Sequence, residues 1–139
     1  MNAATQNVVR LRAAGICEYC HIPMAYFREK FSFDHIVARQ HGGGEILENL
    51  AFCCMRCNRH KGTNLSGLDP LTGLMVRIFH PRVDRWEEHF CWRDSVLVGR
   101  TSEGRATIVT LNMNDPVRLA IREELMKEWL FPPSESSRD

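Results

Sequence analysis

Hydrophobic and polar positions change their rhythm several times along this chain. Over residues 3–14, Val8, Leu11 and the alanines share one helical face, with Arg10 and Arg12 off it and Gly15 as the stop. Residues 31–37 have the aromatic and β-branched content of a strand, with Phe31 and Phe33 on one side. Residues 40–44 end in three consecutive glycines and read as a loop. Leu50-Ala51-Phe52 is a short apolar run suited to a returning strand, and residues 54–61 have the length of a short helix that Gly62 ends. The order is β-β-α.

Further on, Gly67, Asp69-Pro70 and Gly73 mark turns within residues 65–74. Residues 74–79, 86–92, 96–98 and 106–111 are strand-like, and residues 100–105, with Gly104, suit a hairpin turn between the last two. Asn114-Asp115-Pro116 is a helix start, a capping side chain followed by proline in the first turn. Val117, Ile121, Leu125 and Trp129 recur every four residues, which predicts the buried face of that helix, and Pro132-Pro133 should end it. Trp86, Trp92 and Trp129, with Phe79 and Phe90, read as core rather than as a base-stacking surface. The expected class is α+β. Residues 1–64 form the core, 65–133 a β-rich extension whose terminal helix packs on it, and 134–139 a polar tail.

Composition changes this picture little. The 139 residues suit one compact domain, or a small one with an extension, and a hydrophobic fraction of 44% argues against wholesale disorder. A formal net charge of +1 means that any basic surface must be local. Residues 1–7 lack a basic and an apolar signal region, and no apolar run approaches a bilayer span, so no membrane association is expected. The expected address is the cytoplasm, or the nucleoid for a DNA binder. Without a secretory signal, the Cys-x-x-Cys spacing favours reduced thiolates on a metal over disulfides.

Cys17-x-x-Cys20 and Cys54-x-x-Cys57 supply four thiolates in two short turns, the set one structural Zn²⁺ takes. Only Cys54, not Cys53, has that spacing to Cys57; Cys53 and Cys91 are read as small buried hydrophobes. Between the pairs lie Asp34 and His35. Asp34 is a hard oxygen ligand and Asn58 a carbonyl oxygen, suited together to Mg²⁺ or Mn²⁺, with Ni²⁺ or Zn²⁺ as other ions to test. His35 is the side chain whose ordinary pKa suits a general base near neutrality. Neighbouring strand residues point to opposite faces, so Asp34 and His35 can share a substrate only where the strand ends or bulges. Arg56, Arg59 and Lys61, with His60, form a basic cluster placed for contact with a nucleic-acid backbone.

Taken together, Cys17-x-x-Cys20, Asp34-His35-Ile36, Gly42-Gly43, Asn49-Leu50 and Cys54-x-x-Cys57-Asn58-x-x-Lys61-Gly62 resemble the HNH endonuclease family. The resemblance covers roughly residues 10 to 62. It implies a ββα-metal core framed by a four-cysteine zinc site. It also implies that His35 activates water, that Asp34 and Asn58 hold a catalytic divalent ion, and that Asn49 braces the loop between the strands. Some members carry a further histidine one helical turn after the last ligand; Gly62 stands there here. Lys61, three residues after Asn58, should share its helical face and reach a phosphate, whereas His60 faces elsewhere. Phe79-His80-Pro81-Arg82 and Arg85-Trp86-Glu87-Glu88-His89-Phe90 resemble the tails of some bacterial HNH proteins and imply no function of their own.

The function expected is metal-dependent hydrolysis of double-stranded DNA, leaving 5′ phosphates, with a homodimer as one possible assembly. Two other readings compete. One is a zinc-stabilised nucleic-acid-binding module without catalysis; the other is a structural zinc protein with a protein partner and no salt-dependent affinity for DNA.

Overall fold

The first helix shows how the fold departs from simple periodicity. In the computed structural model, which describes residues 1–133, α1 spans Ala3–Arg12, capped by the Asn2 side chain accepting from the Thr5 amide. It buries Val9 and Ala13, four residues apart, and leaves Val8 and Leu11 exposed, one position away from the expected face. The helix docks that side because Arg12 reaches across to the carbonyls of Leu47 and Leu50, at 3.0 and 2.6 Å. Gly15, at φ +71°, then turns the chain into the first cysteine pair.

β1 (Ser32–His35) pairs antiparallel with β2 (Leu50–Cys53), with Asp34 opposite Ala51 and His35 opposite Leu50. Phe31 and Phe33 both pack against Phe52, with ring centroids 5.5 and 5.6 Å apart. The connection between these strands holds two 3₁₀ turns, Arg39–His41 before the glycine run and Leu47–Asn49 leading into β2. α2 (Met55–Lys61) follows β2 directly; the Cys54 sulfur caps it by accepting from the Cys57 amide, and Gly62 ends it.

The C-terminal half differs most from expectation. The fold is α+β, with three two-stranded sheets and five α-helices among the described residues, and the extension holds two separate hairpins instead of one sheet. β3 (Ser66–Leu68), unforeseen in a stretch dense with turn signals, pairs with β4 (Met75–Arg77). Residues 86–92 are not one strand: Trp86–His89 make a helical turn, α3, before β5 (Phe90–Arg93) pairs with β6 (Val96–Gly99). The hairpin turn expected over 100–105 and the strand over 106–111 are together one helix, α4 (Ser102–Thr110).

Thr101 decides that switch. Its hydroxyl accepts from the Gly104 amide, an N-cap that outweighs the β-branched content of Thr107, Ile108 and Val109. Thr107 spends its hydroxyl on the helix, donating to the Glu103 carbonyl, and accepts from the Phe79 amide, so it serves packing instead of a strand. The helix also needs two bare backbones, Gly67 beside it and Gly104 within it. A Cβ on Gly67 would lie 2.0 Å from the Thr110 hydroxyl, and one on Gly104 2.1 Å from the His89 carbonyl oxygen.

α5 (Pro116–Lys127) starts where expected, with Asp115 as N-cap and Pro116 in the first turn, but ends before Pro132-Pro133. Its buried face is Arg118, Arg122 and Leu125; Val117 is half exposed and Trp129 is 94% exposed, so Trp129 is not core. Phe79 and Phe90 are buried; Trp86 packs on Phe90, and Trp92 packs on Trp86 and Phe131. Cys53 is buried as expected, but Cys91 on β5 is exposed, because its neighbours Phe90 and Trp92 alternate to the packed side. The expected polar tail, 134–139, lies outside the described residues. Among the described residues no helix is long and apolar enough to cross a membrane.

Candidate functional site

Two turns of the same design build the sulfur cluster. In each, the amide of the second cysteine points at the sulfur of the first: Cys20 N to Cys17 Sγ and Cys57 N to Cys54 Sγ, both at 3.4 Å. The second turn is also the N-terminus of α2. The four sulfurs of Cys17, Cys20, Cys54 and Cys57 lie within 4.8 Å of one another, all buried, with Cys20 and Cys54 3.7 Å apart. Cys53 stays outside the cluster, which resolves the ambiguity between adjacent cysteines. Burial pushes the Cys17 and Cys57 thiols well up, whereas hydrogen bonds from Cys17, Cys54 and Cys57 hold Cys20 down. Four convergent sulfurs without an oxygen donor suit a tetrahedral Zn²⁺ and leave no open position.

The extension grips this cluster on two sides. At the first knuckle, Glu18 accepts from the Phe52 amide at 2.7 Å and pairs with Arg82. Trp86 donates from its indole N–H to the Tyr19 carbonyl at 2.9 Å and stacks on His21 at 3.8 Å. At the second knuckle, Arg118 of α5 reaches Cys57 Sγ at 2.9 Å. None of these contacts was foreseen. The available signal was the spacing of Arg118 and Arg122, which puts two cations on one helical face beside apolar residues.

The second constellation is arranged differently from the expectation. Asp34 points inward from β1 and is 5% exposed. Its Oδ2 accepts from the Tyr19 hydroxyl at 2.7 Å and lies 3.1 Å from Lys61 Nζ, which is also 3.3 Å from Oδ1. Burial pushes the Asp34 carboxyl up, against the pull of Lys61 and Tyr19. Burial, then Asp34, pushes the Tyr19 phenol well up, so it stays a donor. Lys61 is 1% exposed and donates as well to the Ile36 carbonyl at 3.0 Å and the His35 carbonyl at 3.4 Å. Lys61 therefore does not lie on a surface that could meet a phosphate: its buried ammonium ends at Asp34 and the carbonyls of His35 and Ile36. As arranged, both Asp34 oxygens face the ammonium of Lys61, which stands where a divalent ion on this carboxylate would sit.

His35 faces the other way. Its Nε2 lies 3.5 Å from Glu45 Oε1 and makes no hydrogen bond among the described residues, and its side chain is 22% exposed. Glu45 also pairs with Arg39 at 2.8 Å. Asn49, 8% exposed, spans the loop between the strands: its Oδ1 accepts from the Val37 amide at 2.9 Å, and its Nδ2 donates to Val37 O and Gly44 O at 3.0 and 2.8 Å. Gly43 passes so close that a Cβ there would sit 1.7 Å from the Val37 carbonyl oxygen. On α2, Asn58 is half-buried and Arg59 exposed. Arg56, partly exposed, lies 3.5 Å from Asp115. The structure thus joins Asp34 to Lys61 and Tyr19, and His35 to Glu45. No hydrogen bond among the described residues joins Asp34 to His35 or to Asn58.

Comparison with known proteins bears on this region alone. The model of the HNH endonuclease family matches residues 17–64, a segment that takes in both cysteine pairs, Asp34, His35, Asn49 and Asn58. No curated protein and no solved structure matches the chain.

Proposed function

We propose that the HNH segment, residues 17–64, is the working part of an endonuclease that hydrolyses phosphodiester bonds in double-stranded DNA, with His35 as general base. The observation that carries this reading is the mounting of His35. Lys61 donates to its carbonyl, the Asn49-braced loop follows directly, and Nε2 lacks a hydrogen bond among the described residues. An imidazole so held, with its Nε2 buried and unbonded, is placed to accept a proton from a water brought to it with the substrate. Glu45, beside Nε2, must give way to that water or orient it. Exposed Arg39 and Arg59, with part-exposed Arg56, offer charge to the DNA backbone.

A Mg²⁺ or Mn²⁺ ion, when bound, would supply positive charge to the scissile phosphate. Seating it on Asp34 and Asn58 requires that Lys61 first withdraw from Asp34. That same contact favours the second reading, a zinc-stabilised DNA-binding module without catalysis.

Plasmid cleavage across Mg²⁺, Mn²⁺, Ni²⁺ and Zn²⁺ tests both readings. The wild type should nick or cut plasmid in at least one ion, leaving 5′ phosphates. His35→Ala should slow this by about 10²–10⁴-fold with zinc content and melting temperature unchanged. Equal cutting by the two proteins removes His35 from the mechanism. Salt-dependent binding with no cutting in any ion selects the second reading.

A further inference from the structure

Zinc on four thiolates carries a net negative charge, and here that charge would sit where no water reaches. Buried charge requires donors. Two are local, the amides of Cys20 and Cys57. The third comes from the far end of the chain. Arg118 is 1% exposed, and its Nη1 lies 2.9 Å from Cys57 Sγ and 3.9 Å from Cys54 Sγ. The rest of the guanidinium is engaged as well: Nε donates to Asp115 Oδ2 at 2.9 Å, and Nη2 donates to the carbonyls of Leu111 and Asn112. Every edge of the planar fork has a partner, so it is preorganised toward the sulfurs.

Arg122 supplies the contrast. It sits one turn on and is fully buried, yet it bonds to Ser95 O, Met113 O and Asn114 Oδ1, and touches no sulfur. Two arginines on one helix therefore do different jobs. Arg122 satisfies backbone and side-chain oxygens, while Arg118 meets the thiolates.

We propose that Arg118 is a fifth member of the zinc centre: it stabilises the thiolate cluster and couples the ion to the docking of α5. The coupling is reciprocal, so whatever zinc gains from the docked helix, the helix gains from zinc. The inference rests on the four cysteines holding zinc and is independent of whether the protein cuts DNA.

The full-length wild type, Arg118→Met, Arg118→Lys and Arg122→Met are compared by zinc per chain, zinc affinity against a chromophoric chelator, and the cobalt–thiolate charge-transfer band after Co²⁺ substitution. The wild type should hold one zinc. Arg118→Met should bind it about 10–100-fold more weakly, as for loss of other groups that orient metal ligands. Arg118→Lys keeps the charge but loses the fork, so it should fall between the two. Both Arg118 variants should shift the cobalt band. Arg122→Met removes a nearby charge but no sulfur contact, so it should lower thermal stability, cost much less affinity than Arg118→Met and leave the band unshifted. Wild-type affinity and an unshifted band in Arg118→Met overturn the proposal. So does an equal loss of affinity in Arg122→Met, because the effect is then one of helix packing. If Arg118→Met does not fold, an unshifted band and wild-type affinity in Arg118→Lys overturn it. A wild type without zinc removes the zinc reading along with it.

Discussion

Lys61 and Asp34 form an ion pair in which neither partner reaches water, at 1% and 5% exposure. Lys61→Met keeps the length of the stem and deletes the ammonium. Asp34 is then left with the Tyr19 hydroxyl alone, and the carbonyls of Ile36 and His35 lose their donor. Removing one partner of a buried pair costs about 3–5 kcal/mol. For a chain of this size that lowers the melting temperature by about 10–15 °C. Asp34→Leu strands the ammonium instead and should cost a similar amount. The double variant, Asp34→Leu with Lys61→Met, removes both charges and leaves only neutral groups unpaired, the Tyr19 hydroxyl and the Ile36 and His35 carbonyls, so it should lose less stability than the two singles added together. Urea unfolding of the four proteins in excess zinc closes this double-mutant cycle. A double variant as unstable as the sum of the singles would show that the two side chains do not act as a pair. A Lys61→Met loss below about 1 kcal/mol would place the ammonium in solvent instead.

Two further perturbations probe the extension and the loop. Arg105, bidentate at 2.9 Å, with the Leu71 amide and the Thr72 hydroxyl, holds the Asp69 carboxyl well below the usual range. A depressed folded-state pKa stabilises above the unfolded value of about 3.9 and is lost as pH falls through the folded one, so the stability gap between wild type and Asp69→Asn should narrow below about pH 4. A gap independent of pH, followed by chemical denaturation, would show that Asp69 is not held as a carboxylate. Gly43→Ala drives a methyl into the Val37 carbonyl and the Asn49 amide, whereas nothing lies within 4 Å of a Cβ on Gly44. The first should cost about 1–3 kcal/mol and depress any cleavage, and Gly44→Ala should do neither; equal melting temperatures for the two would contradict the close approach.

Local chemistry was legible along the chain. The paired Cys-x-x-Cys turns, the strand-loop-strand-helix order between them and the Asn114-Asp115-Pro116 cap each depend on residues within a few positions of one another. Such short-range preferences survive in any tertiary setting. Content without a neighbour was not legible. Thr107, Ile108 and Val109 favour a strand in isolation, and only the Thr101 cap with the bare backbones of Gly67 and Gly104 makes them helix. The phase of α5 was decided by distant acceptors, because arginine is buried only where an acceptor waits: Cys57 lies 61 residues from Arg118, and the Ser95 carbonyl 27 from Arg122. Lys61 belongs to the same class. Spacing assigned it a helical face beside Asn58, but the Asp34 carboxylate on β1 assigned it the interior. Sequence by itself determined which groups could hold a metal or move a proton. Which of them meet was left to the tertiary structure, since a buried charge goes to its partner however far along the chain that partner lies.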